Sequence, residues 1–257
     1  MGKVFVGPTY TETASGIILD LANPQPEDIE IADIAWGLSR QNRFAGHTIA
    51  KKPYTVAQHT VEVSRIAQNA MTKGTDHYAM FARYLKENIQ SAFLPDASMD
   101  EAVLDKWVEF EHYFERNLDR NMIIMISFHA LMHDFAEAYL IDVPTPVKRL
   151  PGVYEVYKAA EERMDHVIFK KFRLGYVDKH PGSRAFGEIV VKWADMMALK
   201  IEAYHMMPSR GLAWNLPQEQ PSLQMLDAFR WPISSTRACK ELLARFEELR
   251  PCDPIYD

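Results

Sequence analysis

His133 and Asp134 stand side by side in the stretch FHALMHDFAEAY, where one nitrogen donor and one oxygen donor are offered to the same neighbourhood. His59 lies upstream in TVAQHTVEV, Asp195 lies downstream in VVKWADMMAL, and Glu137 follows one turn after the pair, four residues after His133. Four side chains with nitrogen and oxygen donors, delivered from three helical segments, are what a buried divalent-metal site needs. Imidazole and carboxylate together suit Mn, Co, Zn, Fe, Ni or Mg and do not select one. With coordination positions left open, such a set can activate water for hydrolysis. Taken singly the residues carry little: a lone His59 on an apolar helix reads first as a hydrogen-bonded core histidine, and a lone Asp195 as a cap or ion pair. Successive residues of an α-helix diverge by about 100°. His133 and Asp134 therefore meet one ion only at the flank of their helix, and His59 and Asp195 are expected from helices packed on either side.

The elements that must deliver these groups are helical. Ile31, Ile34, Ala35 and Leu38 recur at three- and four-residue steps. Thr55 reads as a helix N-cap with Gln58 as its capping-box partner. The helix it starts carries Val56, Val63, Ile66, Ala67 and Ala70 on one side, with His59 in its first turns. The most apolar helix begins near Arg120 or Asn121 and is predicted to run to about Leu140, before Pro144 and Pro146 force a turn. On that single helix Glu137, four residues after His133, shares its face. Helical period resumes over about Val153–Phe172, and again over about Phe186–Met207 and Ser235–Leu249. A polar loop with Gly175, Pro181 and Gly182 and a proline-rich segment through Pro232 lie between these helices. The first residues up to Asp28 read as a surface wrap or short hairpin. Residues 73–120 read as a helical insertion of one or two surface helices around a break at Pro95. Strand signals are weak, so the expected class is mainly α, in a single domain over 1–257.

Composition sets outer bounds. A chain of 257 residues, 47% hydrophobic and 25% charged, buries a sizeable core without staples. A net charge of −6 argues against binding nucleic acid polymers, while leaving room for a small anionic substrate held by a cation and a few placed arginines and lysines. Cys239 and Cys252 form no CxxC pair, so neither a disulfide framework nor a thiolate site is expected. Met122–Met132 is too short for a membrane span and contains His129, so it reads as a core helix. No secretory signal is visible, and the expected location is the cytoplasm.

The stretches LSRQNRFAGHT, YTVAQHTVEVSRIA, HALMHDFAEAYLIDVPTPVK and VKWADMMALKIEAYHMM resemble the HD-domain metal-dependent phosphohydrolases, whose pattern is H…HD…D. Within them the likeness runs to the HD 5′-deoxyribonucleotidase group and its phage-encoded relatives, which include deoxynucleoside triphosphohydrolases. It covers most of the chain outside 73–120, which is longer than that family leads one to expect. The resemblance implies an HD-type helical bundle and a metal held by His59, His133, Asp134 and Asp195. It implies Arg43 as a substrate-phosphate contact, with Glu137 and Asp142 as carboxylates beside the metal or in proton transfer. The expected activity is hydrolysis of a (deoxy)nucleotide phosphate bond, on monophosphates or on triphosphates. A homo-oligomer, dimer or higher, is expected.

The residues themselves agree in type. Arg43 offers a planar fork suited to phosphate oxygens. Asp142 either reaches over the site or caps the turn before Pro144. Phe44 stands where the nucleotidases carry a tryptophan, and it can stack or pack. Lys148 is a second phosphate candidate or a solvated lysine. His47 either touches substrate or braces its loop, and bracing is the reading preferred here. His129 reads as a core histidine; Trp193, Met196, Met197, Met206 and Met207 read as core. A nucleotide-binding regulatory protein and another HD reaction are the alternatives. No GYP element marks a cyclic-dinucleotide phosphodiesterase, Ala138 stands where alarmone hydrolases carry the Asp of a Glu-Asp pair, and an HD oxygenase would need further histidine ligands.

Overall fold

The segment that starts at Thr55 forms the axis of the molecule. The computed structural model describes residues 7–93 (side chains to 87), 118–174, 183–216 and 219–251. In chain order α1 is Ile31–Leu38 and α2 is Val56–Ala70. Thr55 accepts a hydrogen bond from Gln58 N, as an N-cap should. The predicted capping box is only half made, because the Gln58 amide turns to the C-terminal segment. Its Nε2 donates to Trp231 O (3.4 Å) and its Oε1 accepts from Ile233 N (3.1 Å).

Four helices pack around α2: α3 (Asp76–Phe93), α4 (Arg120–Met132), α8 (Ser183–Met206) and α10 (Ser235–Leu249). Short helices α5 (Glu137–Leu140) and α6 (Thr145–Lys148) lead into α7 (Tyr154–Lys171), and α9 (Leu223–Asp227) interrupts the proline-rich stretch before α10. Ser222 caps α9 by accepting from Met225 N, a signal the prolines around it obscured. A two-stranded hairpin, β1 (Tyr10–Glu12) antiparallel to β2 (Ile18–Asp20), precedes α1. The fold is mainly α. Among the described residues no helix is long and apolar enough to cross a membrane.

Helix α2 joins two apolar clusters. Val56, Ala57 and Val61 pack with α1, α4, α7 and α10, whereas Val63, Ile66, Ala67 and Ala70 pack with α3 and α8. Each large aliphatic side chain buried there contributes about 1.5–3 kcal/mol. His59 lies between the two sets, fully buried. Trp193, Met197 and Met206 are buried, in keeping with their core reading.

Two expectations are corrected. The start of the 73–120 stretch is core and not decoration: Met80, Phe81 and Leu85 of α3 are buried, and the Phe81 ring lies 5.2 Å from that of Trp193. The remainder of that stretch, with Pro95, lies outside the described residues, as do the loop at Gly175–Gly182 and Cys252. The apolar helix does not run unbroken to Leu140. It ends at Met132, and the bonds Phe135 N to Met132 O, Glu137 N to Asp134 O and Ala138 N to Phe135 O tighten the chain into i→i−3 turns before α5. In that winding side chains three apart align, so the expected sharing of one α-helical face by His133 and Glu137 does not hold.

Gly37 lets α1 approach this turn. A Cβ there would lie 3.1 Å from Ala138 O. Gly37→Val is expected to destabilise the protein by about 1–3 kcal/mol through overpacking against backbone, read as a lower denaturation midpoint.

Candidate metal centre

The turn at the end of α4 presents His133 and Asp134, while α2 presents His59 and α8 presents Asp195, so three helices supply four donors as their sequence order predicts. His59 Nε2 lies 3.1 Å from Asp195 Oδ1 and 3.5 Å from Asp134 Oδ2. His133 Nε2 lies 3.2 Å from Asp134 Oδ2 and 3.9 Å from Asp195 Oδ1. Ligand atoms of His59, His133 and Asp195 all fall within 4.8 Å of one another, a triad of metal-holding geometry, with Asp134 beside it. Metal–ligand bonds of about 2.0–2.2 Å would set neighbouring ligand atoms roughly 3.0–3.5 Å apart, close to these separations.

The tautomers favour the same reading. His59 Nδ1 is 2.7 Å from Glu202 Oε1, and His133 Nδ1 is 2.8 Å from Ala130 O. Each contact is satisfied when Nδ1 carries the proton, which leaves a lone pair on Nε2. Both Nε2 atoms are buried, and neither makes a well-directed hydrogen bond despite the carboxylate oxygens nearby. Two lone pairs aimed among carboxylates repel unless a proton or a cation stands between them.

Glu202 was not foreseen. It is buried on α8, two helical turns after Asp195, and joins two of the candidate site residues: His59 Nδ1 at 2.7 Å and Arg43 Nε at 3.0 Å. The sequence signal was present, since seven residues return to nearly the same helix face. Arg43 Nη1 also lies 3.9 Å from Asp134 Oδ2. Burial pulls the Arg43 pKa down, but Glu202, Asp195, Asp134 and Asp142 outweigh it, so the guanidinium stays charged. Asp134, Asp195 and Glu202, with Asp142 in the same field, outnumber the single guanidinium of Arg43, an excess of carboxylate that a divalent cation would offset. The donor set, its spacing and its charge all fit such an ion.

The loop carrying Arg43 is held at the start of α2. Arg43 N donates to Tyr54 O, and Asn42 pairs with Thr55. Phe44 (φ 57°), Ala45 (φ 50°) and Gly46 (φ 79°) then follow in the left-handed region, where the two non-glycine residues store strain. The half-buried Phe44 ring lies 5.8 Å from Trp214. Thus a tryptophan from a distant loop stands beside Phe44. His47 is exposed, and its backbone N–H closes the turn on Phe44 O.

Glu137 is buried, and its Oε2 has no hydrogen-bond partner. Burial, reinforced by Asp134 and Asp142, pushes its pKa up to about 10. Asp142 is half-buried and also raised, by burial first, within the field of Arg43, Asp134 and His59. Lys148 is not a free surface lysine: its Nζ lies 3.0 Å from Glu161 and 3.9 Å from Glu137. Asp165, on α7, was also missed; burial, then Glu161 and Asp134, raise it to about 7. His129 packs edge-on against Phe169, and burial, then His133 and Arg184, lower it to about 4, as befits a core histidine. His205 stacks on Phe229 at 4.4 Å.

These shifts set a pH dependence. Burial and Arg43 press on the His59 imidazolium, but Glu202 and Asp195 prevail and raise it to about 10. A histidine raised in this way stabilises the fold fully below about pH 6.5, and that stability is lost as pH rises through 10. Glu137, raised from the usual carboxylate range, acts in the same direction. In EDTA the thermal midpoint is expected to fall between about pH 6.5 and 10. Saturating Mn should flatten that decline, because an ion takes the proton's place. Midpoints measured across this range with and without metal check the expectation.

The chain is similar to the uncharacterized protein YfdR of Escherichia coli (strain K12), with 28% identity over 247 residues, 95% of this chain and 99% of that one. It shares 28% identity over 189 residues with an uncharacterized protein of Rhodobacter capsulatus, covering 74% of this chain and 68% of that protein. No protein-family model matches.

Proposed function

We propose that the protein is an HD-type, metal-dependent phosphohydrolase that cleaves a phosphate bond of deoxynucleotides, as a 5′-nucleotidase on monophosphates or as a triphosphohydrolase. The observation that carries this reading is the pair of buried imidazole Nε2 atoms, each with its Nδ1 engaged elsewhere and each set among carboxylate oxygens. His59, His133, Asp134 and Asp195 would hold the ion. A divalent cation there supplies Lewis-acid polarisation of a phosphoryl oxygen and acidifies a water molecule.

The chain's own groups supply the remainder. Arg43, held charged and aimed by Glu202, binds phosphate oxygens and offsets charge developing on them. Asp142 takes a proton from the attacking water. Glu137, protonated at neutral pH by its burial, gives one to the departing oxygen. Lys148, tied between Glu137 and Glu161, keeps Glu137 at the site rather than reaching for phosphate on its own. Phe44 and Trp214 form an apolar wall next to Arg43 that suits the nucleoside part.

The test uses purified protein loaded with Mn or Co and each dNMP and dNTP in turn, with assays for phosphate and for triphosphate. Release of phosphate from monophosphates identifies a nucleotidase, and release of triphosphate a triphosphohydrolase. Nucleotide binding without turnover, with the metal bound, would make the protein a regulator and overturn the enzymatic reading.

A further inference from the structure

Gln41 is used twice by one turn. Its Nε2 donates to Glu137 O at 2.7 Å, and its Oε1 accepts from Asp142 N at 2.8 Å. Its own carbonyl accepts from Val56 N at 3.0 Å, which fixes it to the first turn of α2, just before His59. A single amide therefore ties the turn carrying Glu137 and Asp142 to the loop carrying Arg43.

The turn needs tying. Ile141 has φ 67° and ψ 146°, a conformation that a β-branched residue avoids. Its side chain is 61% exposed, so little packing compensates for the strain. The backbone is instead gripped on both sides: Tyr157 Oη donates to Ile141 O at 2.5 Å, and Gln41 takes the next N–H. Past the left-handed Ile141 the chain sets Asp142 within the electrostatic reach of Arg43, Asp134 and His59.

We propose that Gln41 is a positioning residue, holding the Ile141–Asp142 turn in its left-handed form and thereby keeping the Asp142 carboxylate over the metal centre. Its effect on turnover rests on the hydrolase reading; its effect on the turn does not. The alternative is a merely structural tie between two loops, which would leave catalysis untouched.

Gln41→Met fills the same space without either hydrogen bond, so it is the informative variant. In the Mn-loaded full-length protein, hydrogen exchange at the Asp142 amide is expected to quicken by at least about tenfold, while exchange at buried Val63 and Mn affinity stay as in the wild type. On the deoxynucleotide the wild type hydrolyses best, kcat should fall by about ten- to a hundredfold with a smaller change in KM. Adding Ile141→Gly, which removes the strain that the clamp opposes, should restore most of the lost kcat. Unchanged exchange at Asp142 would overturn the proposal. So would faster exchange with an unaltered kcat, or a double variant no better than Gln41→Met. Should the wild type hydrolyse no nucleotide, the hydrolase reading falls, and the clamp is judged on Asp142 exchange alone.

Discussion

Glu202→Ala is expected to weaken the fold and the metal centre together. Glu202 is buried and accepts from His59 Nδ1 at 2.7 Å and Arg43 Nε at 3.0 Å. Truncation leaves the Arg43 guanidinium, 12% exposed, without its nearest counter-charge. Breaking a buried pair by deleting one partner costs about 3–5 kcal/mol. The same change frees the His59 ring to rotate and removes the acceptor that keeps the Nε2 lone pair turned inward. Loss of such an outer partner lowers metal affinity by about 10–100-fold. Chemical denaturation and Mn titration by calorimetry measure the two effects separately. Glu202→Gln should keep much of the stability, because an amide oxygen still accepts one bond, and yet lose affinity. Equal affinities for Glu202→Gln and wild type would show that the carboxylate's charge plays no part in setting His59.

Asp195→Ala is expected to do the reverse, sparing the fold while abolishing function. The Asp195 side chain is 44% exposed, so its removal opens no core cavity. Its Oδ1, however, lies nearer His59 Nε2 (3.1 Å) than Asp134 Oδ2 does (3.5 Å) and is one corner of the donor triad. Its removal would take away one donor of the proposed metal site and part of the excess negative charge there. Mn affinity should drop by more than about a hundredfold, beyond the loss from an outer partner. Turnover should fall to background, with a thermal midpoint in EDTA within a few degrees of wild type. Retained turnover at stoichiometric Mn would remove Asp195 from the metal set.

How far the sequence foretold this arrangement differs from residue to residue. The helical class and the positions of α2, α7, α8 and α10 were legible, because apolar spacing, the Thr55 cap and the prolines all pointed one way. The convergence of His59, His133 and Asp195 was legible because their order and helical context suggested donors from packed helices. The break at Met132 was not, since no proline or glycine lies between His133 and Leu140. The tightening comes from tertiary packing of the turn on α1 and α7, which outweighs local preference. Glu202 went unseen because a glutamate on a long helix is ordinarily a solvated one, and only its two-turn offset from Asp195 hinted otherwise. Gln41 and Trp214 act through loops that meet distant parts of the chain, which periodicity cannot report. The start of the 73–120 stretch read as a surface helix, yet its apolar positions on α3 close the core around Trp193.

His59 sits where the two apolar clusters meet, and its fellow donors come from helices far along the chain. An ion gripped there would join segments that span more than half of the polypeptide, and by binding the folded chain but not the unfolded one it would stabilise the fold in proportion to its own concentration. Where the ion is scarce less of the protein would then persist, as proteases remove the chains left unfastened.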